Sequence, residues 1–289
     1  MKTAQYHIIA LLVIVVWGTT HVATKTLLIN GLSPRDIFFY RFLLAYAGIW
    51  FFGPRRLFAG SIKDELLLML AGITGGSLYF MAENTALQMT RAINVALLAC
   101  TAPILTIILS RLLFKNEQLK YRYLWQGSLL ALIGVVLVTF NGQLILQINP
   151  MGDMLSLLAA FSWALYIILL KLLAGRYSML FVTRKVFFYG LLTLLPLFFY
   201  RPLNMYAGIL MQPVVLGSLF YLGVMASLLC YFMWNIAVKR LGAAKASGYV
   251  YLSPAVTMAT AAVVLNETIT LMAVGGGLLI LIGVALAER

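Results

Sequence analysis

Gly127–Val135 reads GSLLALIGV, and Gly276–Val284 reads GGLLILIGV. The match extends outward in both directions. Pro103 lies in an apolar segment that ends at Asn116-Glu117, and Pro254 in one that ends at Asn266-Glu267. Tyr79-Phe80-Met81 recurs as Tyr231-Phe232-Met233. Trp17 is followed eight residues later by Lys25, and Trp163 eight residues later by Lys171. Partners stay about 150 residues apart, so the chain divides into two related units, 1–145 and 146–289. Each unit holds five hydrophobic spans. An odd number of crossings turns the second unit over, which predicts an inverted repeat.

Composition demands a membrane. The chain has 289 residues, 63% hydrophobic and 10% charged, with a mean hydropathy of +0.99, far from the balance of a water-soluble domain. A spanning helix needs roughly 20 apolar residues. The runs fall at roughly 7–28, 34–52, 64–88, 92–113, 121–140, 152–173, 181–199, 214–238, 245–265 and 270–287. The predicted fold is an all-α integral membrane protein of ten transmembrane helices in two inverted five-helix repeats, with little left over for a soluble domain.

The net charge of +13 orients the chain. With the N-terminus inside, Lys2, Arg55, Arg56, Lys63, Arg111, Lys115, Lys120, Arg122, Arg176, Lys239, Arg240, Lys245 and Arg289 fall in inner segments. Only Arg35, Arg91 and Arg201 fall in outer loops. This positive-inside bias predicts a multi-pass cell (inner) membrane protein with both termini cytoplasmic, and explains the charge without nucleic acid. The first apolar run is not read as a signal peptide, because its Trp17 and Lys25 have partners in the second unit. Cys100 and Cys230 fall within spans, are not matched between units, and read as small buried residues.

Trp17-Gly18-Thr19 with Lys25, Pro34 with Arg41, the Pro103-to-Glu117 span and Gly152-Asp153 leading to Trp163-Ala164 resemble the EamA-type members of the drug/metabolite transporter superfamily. The resemblance covers essentially the whole chain, twice. It implies ten helices, a central cavity between inverted halves, alternating access, and a small-molecule substrate, with amino acids and similar metabolites as common cargo. The chain departs from even symmetry at Asn235, which stands where the first unit has Glu83.

Charges inside a bilayer cost roughly 2.5–3.5 kcal/mol on insertion scales and face a cavity or a partner. His21 and Lys25 sit four apart in the outer part of the first span, Arg41 about two turns into the second, and Glu83 in the outer half of the third, four residues after Tyr79. Common depth predicts that they meet around an aqueous cavity. Glu83 is the only acid well inside a span and the leading candidate for proton coupling; the competing reading is a fixed ion pair with Lys25 or Arg41. His21 suits a proton relay or a plain interhelical hydrogen bond. Lys25 and Arg41 suit a substrate carboxylate or phosphate, compensation of Glu83, or, for Lys25, snorkelling to headgroups.

In the second unit Lys171, Arg184 and Lys185 mirror this set toward the other side. No acid within a span is expected to pair with them, so Lys185 reads as a headgroup contact. Trp17 and Trp163 sit mid-span, where Trp is unusual. They line a cavity, with an N–H offered to ligand, or pack helices. Tyr79, Tyr166, Tyr231, Tyr249 and Tyr251 add amphipathic rings, and Asn94 and Asn235 neutral polar groups. Pro103 and Pro254 break their helices at matched positions, as hinges or cavity walls. Glu117 and Glu267 read as interfacial. Gly72-Ile73-Thr74-Gly75-Gly76 and Gly275-Gly276-Gly277 read as close-packing sites, and Arg55–Gly60 and Leu203–Gln212 as loops.

The leading function is a secondary transporter exporting small metabolites such as amino acids, possible proton coupling resting on Glu83. No cofactor, metal or nucleotide motif is present, and catalysis is not expected. The alternatives are a membrane-embedded enzyme acting on lipids, against which the chain shows no metal motif, His cluster or nucleophile elbow, and a carrier of nucleotide-linked or lipid substrates. A structural or receptor-like protein fits the inverted repeat poorly.

Overall fold

The computed structural model describes residues 3–52, 56–90, 92–114, 121–140, 149–200, 202–203, 207–265 and 270–287. The first half comprises α1 (Thr3–Ile29), α2 (Pro34–Phe52), α3 (Ile62–Gly72), α4 (Leu78–Met89), α5 (Ala92–Ala99), α6 (Ala102–Leu113) and α7 (Tyr121–Phe140). The second comprises α8 (Pro150–Leu173), α9 (Met179–Tyr200), a single turn α10 (Ala207–Leu210), α11 (Pro213–Phe220), α12 (Cys230–Leu241), α13 (Ala243–Gly248), α14 (Ser253–Leu265) and α15 (Leu271–Ala287). Among the described residues there is no named strand. All ten apolar runs are helical, with ends within a few residues of those read from the sequence. The exception to the expected loops is α10, which lies in the connection before α11.

Six of these rods are long and apolar enough to cross a membrane: Ala4–Ile29, Ile62–Met89, Val95–Leu113, Pro150–Leu173, Met179–Tyr200 and Pro213–Leu241. Their outward faces are as apolar as their inward ones. Ile8, Leu12 and Leu216 are 56%, 51% and 55% exposed while Val13, Ala71 and Ile167 are wholly buried. A helix greasy on every side needs a lipid neighbour.

Two rods carry a matched irregularity. Between α3 and α4 the chain takes a π-helical turn, Ile73–Ser77; between α11 and α12 it takes another, Tyr221–Leu229. A π-turn misaligns part of the backbone ladder and marks functional segments. Here side chains from other helices bond to these turns: Ser162 donates to the Thr74 carbonyl at 2.8 Å, Tyr231 to that of Gly75 at 2.5 Å, and Trp17 Nε1 to that of Ala226 at 2.8 Å. Beyond the glycines, nothing in the sequence marks these turns. Gly75 is glycine because Tyr166 lies on it: a Cβ there would sit 2.4 Å from the ring.

The prolines do what their spacing predicts. α5 ends in a turn at Cys100-Thr101, and Pro103 enters α6 as its second residue. A 3₁₀ turn, Tyr249–Leu252, precedes α14, whose second residue is Pro254. Proline is tolerated in a first helical turn, where its missing N–H has no intrahelical partner to lose.

The repeated glycine segments face each other. A Cβ on Gly134 would lie 2.5 Å from the Gly276 carbonyl oxygen, and one on Gly283 would lie 2.6 Å from that of Gly127. α7 and α15 therefore cross with backbone against backbone, the small-residue packing of membrane helices. The close-packing expectation does not extend along the whole glycine run, since Gly275 and Gly277 face open space. A separate apolar cluster, with Leu27, Leu32, Ile37, Val215, Leu219 and Leu222 at its centre, joins the end of α1 and the start of α2 to α11 and the π-turn after it.

Candidate functional site

α1 presents Trp17, Thr20 and His21 on one face, as spacings of three and four dictate. They border a cavity of about 60 Å³. α2 contributes Arg41, α4 contributes Tyr79, Phe80 and Glu83, α8 contributes Trp163 and α12 contributes Tyr231. Ala96, Ala99, Ala102 and Ala160 leave the space open, and Ser253, beside Pro254, closes one wall. The hinge prolines are thus neighbours of lining residues: Ala102 precedes Pro103 as Ser253 precedes Pro254.

Glu83 is 8% exposed, and one of its oxygens, Oε1, is occupied. It accepts from the Tyr79 hydroxyl at 2.6 Å and lies 3.6 Å from His21 Nε2. This corrects the fixed-pair reading: the partner is neither Lys25 nor Arg41. Lys25 Nζ donates to the Leu87 carbonyl at 2.7 Å. The registry explains the exchange. α1 and α4 lie side by side, His21 falls opposite Glu83, and one turn further on Lys25 falls opposite Leu87. Arg41 Nε donates to Ser227 Oγ at 2.5 Å, and its guanidinium lies 4.3 Å over the Phe80 ring. Among the described residues His21 Nδ1 has no hydrogen-bond partner.

The aromatic wall is interlocked. Trp17 meets Trp163 edge-on at 5.3 Å and 83°, and Trp163 meets Tyr231 at 5.8 Å and 88°. Tyr79 lies 5.0 Å from Trp163. Such offset and edge contacts suit the ring quadrupoles. The Trp17 N–H is committed to Ala226, which corrects its reading as a donor offered to ligand.

Four of the expected site residues lie away from the cavity. Tyr166 donates to Asn235 Oδ1 at 2.7 Å, and Asn235 Nδ2 donates to Thr183 at 2.7 Å; both Tyr166 and Asn235 are wholly buried. Lys171 reaches Ser110 at 3.3 Å and lies 3.9 Å over the Phe114 ring. Lys25 is held by Leu87, as above. Of the residues without assigned structure, Asn116, Glu117, Asn266 and Glu267 lie outside the described residues, as does the Asn94 side chain.

The other end of the bundle carries a second polar assembly, and here the expectation that no acid serves the mirrored cations is overturned. Glu65, near the start of α3, pairs with Lys185, which is 4% exposed. It also accepts from Tyr189 and from the Ala59 N–H, the latter at 2.5 Å. Lys185 is thereby an interhelical partner and not a headgroup contact. Next to it Asp64 accepts from Arg176 at 2.7 Å and from Tyr177 at 2.8 Å, the Gly60 N–H donates to Tyr177 at 2.9 Å, and Arg184 donates to the Arg56 carbonyl. This latch ties the α2–α3 connection to the α8–α9 turn. Glu65 and Glu83 are 18 residues apart on one rod, or about 27 Å at 1.5 Å per residue.

A cavity lined by one acid, one arginine and one histidine, set in apolar helices, is built to hold a solute. A family model described as the EamA-like transporter family matches residues 5–140 and again 150–288. The chain belongs to this EamA-like transporter family. Similar proteins include a "Probable amino-acid metabolite efflux pump" of Salmonella typhimurium, 32% identical over 95% of this chain and 92% of its own. A "Probable terminal-alkyne amino-acid exporter" of Streptantibioticus cattleyicolor is 28% identical over 100% of this chain and 95% of its own. An "Uncharacterized transporter" of Archaeoglobus fulgidus is 27% identical over 98% and 97%. A solved crystal structure shares the fold, with a TM-score of 0.76 at 16% identity over 99% of this chain and 97% of that one. This EamA-family chain is a multi-pass membrane transporter of small metabolites.

Proposed function

We propose that this EamA-family protein exports amino acids and related small metabolites by alternating access, driven by a proton gradient and without catalysis. Units 1–145 and 146–289 are the inverted halves, ten helices span the cell (inner) membrane, and both termini are cytoplasmic. The observation that carries the reading is Glu83 against His21 at 3.6 Å on the wall of the cavity. A carboxyl beside an imidazole can accept and release a proton while the site faces either side. The paired π-turns, the prolines beside the cavity and the facing glycine segments support two related halves that move against each other. The amino-acid efflux named for the Salmonella and Streptantibioticus relatives supports the substrate class.

The test is flux from proteoliposomes loaded with amino acids and small metabolites under an imposed pH gradient. Gradient-sensitive loss of an amino acid in the intact protein, and loss of that sensitivity in Glu83→Gln, is the expected result. Unchanged pH dependence in the variant removes Glu83 from coupling; flux of no solute removes the transport reading.

A further inference from the structure

The cavity displays two unsatisfied charged groups of opposite sign. Glu83 spends Oε1 on Tyr79 and His21, and no protein group among the described residues hydrogen-bonds Oε2. Arg41 spends Nε on Ser227, and its two terminal nitrogens have no protein acceptor among the described residues. Both side chains are more than nine-tenths buried and both border the cavity. They are not each other's answer, since no nitrogen–oxygen approach within 4 Å joins them. These atoms are open to the cavity and not sealed in the bundle. A ligand in the cavity can therefore meet both at once.

We infer that Arg41 and Glu83 are the two poles of a clamp for short-chain zwitterions: the Arg41 terminal nitrogens take a carboxylate in bidentate fashion, and Glu83 Oε2 takes an ammonium. The inference rests on the transport reading above and deepens it by naming the groups that hold the two charged ends of the substrate. Ser227 and Phe80 fix the guanidinium from behind, so its planar fork is presented ready-made. Tyr79 and His21 do the same for the carboxylate. The remaining walls, Trp17, Trp163 and Tyr231, offer apolar surface to a side chain. Volume limits that side chain. An engineered cavity that takes benzene measures about 150 Å³; this one measures about 60 Å³. The smaller space favours α-amino acids with short side chains over those with a phenyl ring.

Sites that hydrogen-bond a polar group reject analogues lacking it far more strongly than apolar pockets reject a missing methylene. The experiment is counterflow in proteoliposomes of the full chain, with L-alanine tracer outside and one unlabelled solute inside. L-alanine inside drives uptake; ethylamine, which lacks the carboxylate, and propionate, which lacks the ammonium, drive at least about 100-fold less at equal concentration, and L-phenylalanine drives little. Arg41→Lys keeps a charge but loses the fork, and lowers L-alanine counterflow at least about tenfold while monodisperse protein and melting temperature show that it folds. Ethylamine or propionate driving as well as L-alanine overturns the clamp and leaves the transporter standing. L-phenylalanine outperforming L-alanine overturns the size limit. Arg41→Lys matching the parent overturns the role of Arg41. No counterflow with any amino acid overturns the transport reading and the clamp together.

Discussion

Glu65→Gln tests whether the latch holds its end of the bundle shut. The substitution keeps the shape and one acceptor oxygen but removes the charge opposite Lys185, which is 4% exposed and has nowhere nearby to be solvated. Removing one partner of a fully buried pair costs about 3–5 kcal/mol. Glu65 retains 15% side-chain exposure, and the amide still accepts from Tyr189 or Ala59, so about 2 kcal/mol is the appropriate figure here. The bonds run from α3 to α9, so the loss falls on the contact between these two helices and not on either helix itself. At 1.4 kcal/mol per decade, opening of this end becomes about 30-fold more frequent. The readout is a single cysteine at Ala237, wholly buried two residues beyond Asn235, in a background lacking Cys100 and Cys230, labelled by a maleimide in detergent. Labelling is expected to accelerate about 30-fold in Glu65→Gln. Asp64→Asn is the internal comparison: its partner Arg176 is 54% exposed, such pairs contribute about 0–1 kcal/mol, and labelling there rises less than about fivefold. Equal labelling in the parent and Glu65→Gln, with both folded, refutes the latch.

Three further outcomes follow from the packing. Gly75→Ala brings a Cβ to 2.4 Å from the Tyr166 ring, which is wholly buried and tied to Asn235; overpacking of this kind costs about 1–3 kcal/mol, read as a lower melting temperature. Asn235→Leu strips partners from Tyr166 and Thr183 and is expected to destabilise by about 1–3 kcal/mol while leaving the pH dependence of flux as in the parent. A changed pH profile there would return Asn235 to the coupling machinery. Trp17→Phe keeps most of the apolar contact but abandons the Ala226 carbonyl in the π-turn; thermal stability should fall by about 1 kcal/mol, and an unchanged melting temperature would show that water replaces the indole.

The helical framework was legible because lipid imposes a length and a polarity on a spanning helix, and six helices among the described residues meet both. The residues of the cavity were legible for a related reason: a charge placed mid-span must have a purpose, and His21, Arg41 and Glu83 do converge. Their pairing was not legible. Depth along each helix follows from counting residues, but rotation about each axis does not, and it is rotation that gives Glu83 to His21 and sends Lys25 to a backbone carbonyl. The latch was missed because Glu65 lies 120 residues from Lys185 in sequence and at a span boundary, where an acid attracts no notice. The π-turns leave no periodic trace, since one extra residue in a ladder is invisible in a run that is apolar throughout. Asn235 was read as the counterpart of Glu83; it serves its own half as a buried hydrogen-bond bridge.

The crossing of α7 and α15 has a property of a different order. Gly134 meets Gly276 and Gly283 meets Gly127, and these four are the first and last glycines of the two nine-residue segments, exchanged. The contact is isologous: the same patch serves on both sides, as in a two-fold dimer. A surface that is its own complement does not need to be covalently joined to its partner. Here both patches belong to one chain, so they meet at an effective concentration set by the chain between them and not by the amount of protein in solution.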